Sequence, residues 1–270
     1  MTILDDLGKV GNKLSEIRIS PIAYRKDPDL SFLANCRNED LELLFEVLTK
    51  NKKGKRRLTQ QLTLHRRYKW HNPDHHAYWD LIAAELQGYG ASSISTLLRG
   101  GRGVPYREML LDVCDKLKVN YNKESSTRDI EMNLLMKLLK DSLEKMNDEQ
   151  LREVVAALQL KTAKPTKEAV LAALQTAVKV GGFSSYATTV VVANAVLKSI
   201  IGRGLTFAGN AMLTRAVAVF AGPIGWIATG IWTLADVAGP AYRVTIPACV
   251  VVAYLREKPQ TDGVLENSEK

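Results

Sequence analysis

The chain has 270 residues, with 37 lysines and arginines against 29 aspartates and glutamates and a formal net charge of +8. Hydrophobic residues at 46%, charged residues at 24% and only 9 prolines describe a folded chain of one or two domains with a substantial core, and they exclude bulk disorder and collagen-like repeats. Cys36, Cys114 and Cys249 lie far apart without a CxxC pair, which points to free thiols in a reducing, cytoplasmic compartment and away from a disulfide framework or a zinc knuckle.

Residues Thr2 to Ile19 open the chain with an amphipathic helical pattern (Ile3, Leu7, Val10, Leu14, Ile17) that stops before Pro21. Acids near its start and the lack of an apolar run make it a docking helix rather than a secretory leader. Asp27-Pro28-Asp29 predicts a capped helix start, and Asn38-Glu39-Asp40 predicts a second helix carrying Leu41, Leu44, Phe45 and Leu48. Val47 to Pro73 then contains no acid and nine bases: Lys50, Lys52, Lys53, Lys55, Arg56, Arg57, Arg66, Arg67 and Lys69. Such a block attracts phosphate on lipid, nucleic acid or a soluble ligand, although a solvated charged face is its commonest use. Tyr68 and Trp70 interleave with the bases as stacking or interfacial residues do.

Asp74 predicts a helix over about 75–86, Ser92 another through Leu98, and Pro105 a third with Met109, Leu110, Val113 and Leu117 on one face. Ser126 with Asp129, and Asn147 with Gln150, have the spacing of capping boxes. Thr166 after Pro165 starts a further helix that ends at Gly181-Gly182. No alternating strands with hairpin turns are found, so the fold class is all-α. The nearest exception is the valine- and isoleucine-rich Val244 to Leu255, where Pro247 argues against a central strand.

Residues 181–255 differ in kind, with five charges in all: Lys198, Arg203, Arg215, Asp236 and Arg243. Helices are expected at 186–201, 205–219, 224–237 and 242–257, punctuated by glycines, Pro223 and Pro240. Ala218 with Gly222, Ala221 with Gly225 and Ala235 with Gly239 space small residues four apart, as close helix packing requires. Ala216 to Ala235 is the only 20-residue charge-free run of near transmembrane length, and its glycines, threonines and Pro223 make insertion marginal. Three readings stay open for this region: a buried bundle, a constitutive span, and a hairpin that meets or enters the bilayer on cue through Phe220, Ile224, Trp226, Ile227, Ile231 and Trp232. The expected organisation is an N-terminal helix at 1–22, a basic helical domain at 23–180, an apolar, glycine-rich helical domain at 181–256 and a frayed tail at 257–270.

No catalytic constellation emerges. His65, His71, His75 and His76 cluster, but Pro73 interrupts the helix that would align His71 with His75, so an exposed helix start explains them better than a metal. Gly54-Lys55 lacks the rest of a phosphate loop, and Gly88-Tyr-Gly90 follows a helix rather than a strand, so no nucleotide or other cofactor is expected. Arg99-Gly-Gly-Arg-Gly-Val-Pro-Tyr106 brings two guanidinium groups, three glycines and a following helix start together, which suits a phosphate or headgroup as well as it suits a flexible loop. The candidate anion-contacting residues are therefore Arg56, Arg57, Arg66, Arg67, Lys69, Arg99 and Arg102.

Two segments carry a family resemblance. Leu86-Gln-Gly-Tyr-Gly-Ala-Ser-Ser-Ile through Val119, and Ala238-Gly-Pro-Ala-Tyr-Arg-Val-Thr-Ile-Pro-Ala248, resemble the YaaW family of bacterial proteins. Asp29-Leu-Ser-Phe-Leu-Ala-Asn-Cys36 with Glu39-Asp-Leu41 resembles its short N-terminal module. The resemblance spans about 24–256 and implies no catalytic residues. The likeness of that family's middle part to a ubiquinol–cytochrome c chaperone domain implies a helical assembly role. The expected function is non-enzymatic, conditional membrane association, through the basic surface and the apolar hairpin, of a cytoplasmic protein that is peripheral or inserted at the inner membrane. It forms oligomers if it is membrane-active. A cytosolic partner-binding or chaperone role, and nucleic-acid binding through residues 50–69, are the alternatives.

Overall fold

The computed structural model describes residues 22–51, 53–91, 103–158, 160–162, 164–180, 183–201, 204–205, 214, 217–219 and 241–258. Nine α-helices lie among them: α1 Asn38–Thr49, α2 Arg66–His71, α3 Trp79–Ala91, α4 Tyr106–Lys116, α5 Thr127–Leu143, α6 Asp148–Ala157, α7 Lys167–Val180, α8 Phe183–Ile201 and α9 Tyr242–Glu257. Short 3-10 helices at Ser31–Asn35, Leu62–Leu64 and His75–Tyr78 join them. No strand occurs among the described residues, whose only ladder contact is an isolated bridge between Lys50 and Arg56. The fold is an all-α, multi-helix one.

The capping signals divide by what else competes for the capping oxygen. Asn147 accepts from the Gln150 backbone N–H at 2.9 Å while Gln150 accepts from the Asn147 N–H at 3.0 Å, so both orphan donors are satisfied and α6 starts there. Ser126 accepts from Asp129 N–H at 3.1 Å, but the Asp129 carboxylate takes the serine hydroxyl at 2.7 Å, and no reciprocal box forms. Asp27 caps a turn rather than a helix: its carboxylate accepts from Asp29 N–H at 3.0 Å, and a 3-10 helix follows from Ser31. Asn38 lies inside α1, one residue past the capping position, and its side chain reaches across the fold to accept from His75 N–H at 2.6 Å. Asp74 makes no capping bond; the chain passes through the 3-10 turn His75–Tyr78 before α3 begins.

The strand-like composition of Val244 to Leu255 folds instead as α9, with every one of those residues buried. A helix apolar on all sides has to be surrounded. This one packs against α8, α1, α5, α3 and α4, so α9 is the centre of a core that helices far earlier in the chain build. Pro247 removes one helical N–H, a loss the packed surroundings tolerate. At the end of α9, Arg256 donates to both carboxylate oxygens of Glu131 (2.7 and 3.2 Å) and to the Asp29 carbonyl (2.7 Å), with its guanidinium 4.5 Å over the Phe32 ring. Arg128 to Glu257 and Lys258 to Asp40 continue this seam, tying α9 to α5 and α1.

Residues 92–102, where a helix through Leu98 and the bases Arg99 and Arg102 are expected, lie outside the described residues, and from Gly103 the chain packs on α3. Buried Gln87 accepts from the Arg25 N–H (3.0 Å) and donates to the Arg25 carbonyl (2.9 Å), and its own carbonyl accepts from Val104 N–H (3.2 Å). Asp27 closes the clasp by accepting from Tyr106 N–H at 2.7 Å. Gly103 runs so near Gln87 that a Cβ there would meet the Gln87 Cβ at 2.7 Å.

Candidate functional site

The acid-free block folds into a small basic module in three pieces. First, α1 stops at Thr49, and the chain reverses: Arg57 N–H donates to the Thr49 carbonyl (2.7 Å) and Asn51 N–H to the Lys55 carbonyl (2.8 Å). Gly54 takes φ +68° at the tip, a left-handed conformation that favours glycine, and the Asn51 side chain accepts from the N–H groups of Lys53 and Lys55 at 2.9 and 3.1 Å. Lys53, Lys55 and Arg56 are thereby held out in solvent on an ordered tip.

Second, the returning chain is fastened to α3. The Thr59 hydroxyl lies 3.2 Å from the Tyr89 hydroxyl, which itself donates to the Leu48 carbonyl at 3.1 Å. Glu85, the one acid in the buried stretch Leu81 to Leu86 of α3, accepts from the N–H groups of Gln61 (3.0 Å) and Leu62 (2.8 Å) and so caps the 3-10 helix Leu62–Leu64. Burial pushes this carboxyl up to about 7, against the two N–H groups that favour its ionised form.

Third, α2 presents the remaining bases, its start capped by His65 Nδ1 accepting from Arg67 N–H at 3.2 Å. Arg66 stacks over Trp70 at 3.9 Å, while Arg67 turns inward to Asp80 (2.6 Å) and the Ala77 carbonyl (2.7 Å). Tyr68 stacks on Phe45 at 5.7 Å. His75 sits behind it, against the Phe45 and Tyr78 rings (4.8 and 5.6 Å), and burial lowers its pKa against the opposing pull of the Pro73 carbonyl and of Glu42, Glu46 and Asp74.

Of the seven anion-contacting candidates, Arg56, Arg66 and Lys69 reach solvent. Arg57 is half-buried, its Nε and Nη2 covered and without an acceptor among the described residues, and burial followed by repulsion from Arg243 lowers its pKa. Arg67 is committed to Asp80. Arg99 and Arg102, like Phe220, Ile224, Trp226, Ile227, Ile231 and Trp232, lie outside the described residues. Among the described residues no helix is long and apolar enough to cross a membrane, and no group of three or more His, Cys, Asp or Glu could hold a metal.

Two features escape the sequence reading. Leu58 is fully exposed and Leu64 is 52% exposed; with Trp70, the interfacial candidate, 64% exposed, the module shows three large apolar groups to solvent. Leu58 and Leu64 lie in irregular and 3-10 segments and Trp70 in a helix of 6 residues, so no periodicity reveals which face they take. Glu85 is the other, and its only signal is a single acid inside an apolar run.

Opposite protonation trends at Glu85 and His75 give a testable pH response. The raised Glu85 pKa means that stability falls as pH rises from 4.5 to about 7, because the unfolded chain ionises first. The lowered His75 pKa means that stability falls as pH drops below 6.5, because the unfolded chain binds the proton first. Urea midpoints measured across this window should show Glu85→Gln gaining on the parent as pH rises towards 7, and His75→Phe gaining as pH falls below 6.5. Parallel curves for parent and variants would contradict this.

Comparisons with known proteins add the following. A family described as a domain of unknown function (DUF3944) matches residues 24–58, and one described as ubiquinol-cytochrome C chaperone matches residues 74–251. The chain is 52% identical over 240 residues to a UPF0174 protein of Helicobacter pylori J99, covering 88% of this chain and 94% of that one. It is 35% identical over 242 residues to the UPF0174 protein YaaW of Escherichia coli K12, covering 87% and 96%. A second UPF0174 protein of Helicobacter pylori J99 is 43% identical over 206 residues, covering 74% and 98%. No solved structure matches.

Proposed function

We propose that this chain, which belongs to the UPF0174 family of YaaW-like bacterial proteins, is a non-enzymatic cytoplasmic protein that docks on anionic membrane surface through its basic module. The observation that carries this reading is the ordered presentation of Lys53, Lys55, Arg56, Arg66 and Lys69 to solvent in a stretch with no acid between Val47 and Pro73. Bases near an anionic bilayer contribute about 1 kcal/mol each where they reach the surface. The apolar segment with Phe220, Ile224, Trp226, Ile227, Ile231 and Trp232 then supplies a hairpin that meets or enters the bilayer once charge has recruited the protein, and Arg99 and Arg102 add headgroup contacts.

The test is flotation of the full chain with vesicles of equimolar phosphatidylglycerol and phosphatidylcholine. Truncation is unsuitable, because α9 is the middle of the core. The parent should float at low salt and leave the vesicles as salt rises, and a variant with Lys53, Lys55, Arg56 and Lys69 each changed to Glu should stay unbound. A parent that never floats, or that floats equally with pure phosphatidylcholine, overturns the reading.

The family match to a ubiquinol-cytochrome C chaperone over 74–251 favours a second reading, a partner-binding assembly role. A stable complex with an apolar-faced protein partner that the charge reversals leave intact would select it. Nucleic-acid binding through residues 50–69 predicts retardation of duplex DNA with a log–log salt slope near −0.9 per phosphate neutralised, and retention of the salt slope after the charge reversals would remove that reading.

A further inference from the structure

The exposed apolar side chains of the basic module form a pattern of their own. Leu58 follows Arg56 and Arg57, with Arg57 N–H bonded to Thr49 and Thr59 fixed to Tyr89, so its side chain stands in solvent on a fastened backbone. In the 3-10 helix Leu62–Leu64, the capping contact from Glu85 holds Leu62 in the core and leaves Leu64 outside. On α2, Trp70 lies exposed with the Arg66 guanidinium stacked on it. Single exposed apolar residues on a soluble surface need no explanation. Three within 58–70, all on ordered backbone and all among cations with no acid in the run, do.

We propose that Leu58, Leu64 and Trp70 are interfacial anchors that enter the headgroup region of an anionic bilayer, so that the basic module supplies hydrophobic depth as well as charge. This rests on the membrane reading above and deepens it by naming the contact residues. The occupant follows from charge complementarity: bases flanking apolar groups match a surface that is anionic outside and apolar beneath. Tryptophan is enriched at that depth, and the long stems of Lys53, Lys55 and Lys69 reach upward to phosphate while the apolar groups sink.

The experiment compares the full-length parent, the charge-reversed variant and a variant carrying Leu58→Ser, Leu64→Ser and Trp70→Ser, each checked for an unchanged thermal transition. The probe is the phosphatidylglycerol–phosphatidylcholine vesicle. Removing three anchors is expected to weaken partition on the order of a hundredfold, with the largest loss at high salt, where charge no longer holds the protein. Because the native thiols of Cys36, Cys114 and Cys249 are all buried, a polarity-sensitive dye attached to Leu58→Cys reports this position alone, and its emission should shift to the blue on adding vesicles. If the serine variant partitions like the parent while the charge-reversed variant fails, or if the dye does not shift, the anchors are refuted and purely electrostatic docking stands. If the parent does not partition at all, the membrane reading falls and takes this inference with it. Binding of duplex DNA in preference to vesicles, with the dye unshifted, likewise overturns it.

Discussion

Replacing Arg256 with alanine should cost about 3–5 kcal/mol of folding stability, read as a large drop in the urea midpoint. The reason is the partner left behind. Glu131 is 1% exposed, and its carboxylate accepts two bonds from that guanidinium. Without Arg256 it keeps its charge in the core at heavy cost or takes up a proton, and the Asp29 carbonyl loses its donor as well. Glu131→Ala should cost a similar amount by stranding the arginine. The double replacement Glu131→Leu with Arg256→Met removes both charges and keeps most of the volume, so it should recover much of the loss. A double variant as unstable as the sum of the single ones would show that the pair does not act as a unit.

Two glycines within one neighbourhood should respond to alanine with opposite signs. Gly103→Ala places a Cβ 2.7 Å from the Gln87 Cβ and 3.0 Å from its backbone carbon. Neither atom is the free end of a side chain, so the clasp around Arg25 and Val104 has to shift, and a loss of about 1–3 kcal/mol is expected. Gly88, one residue past Gln87 on α3, has nothing among the described residues within 4 Å of its would-be Cβ. Gly88→Ala should therefore stabilise by about 0.5–1 kcal/mol, through helix propensity and a less disordered unfolded chain. Thermal unfolding of the two variants side by side decides it. A destabilised Gly88→Ala would mean that α3 is packed on that side.

The helical class and, among the described residues, most helix positions are legible from periodicity and punctuation, because Pro105, Asn147 with Gln150, and Thr166 act on their own immediate backbone. Asn38 and Asp27 mislead for a physical reason: their oxygens bond to His75 and Tyr106, residues 37 and 79 positions away. Capping is a local signal, and these contacts are not local. The basic block is visible from composition alone, yet adjacent Arg66 and Arg67 cannot be told apart in sequence. One stacks on Trp70 in solvent and the other turns to Asp80, a choice made by where α3 lies. The exposed leucines are hidden for the same reason, since leucine in a folded chain is expected inside and an irregular segment has no period to contradict it. The buried charge pair Glu131 with Arg256 spans 125 positions, beyond any spacing rule.

The central place of α9 sets the order in which the protein can be made. During synthesis α1, α3, α4 and α5 leave the ribosome well before residues 242–257 exist, and the groove that α9 fills stays open meanwhile. At ordinary elongation rates of roughly 5–20 residues per second this interval lasts on the order of ten seconds. The nascent chain thus spends its early life with an unfilled apolar cleft, stalling or premature termination leaves it so, and cooperative folding waits for α9 to be released.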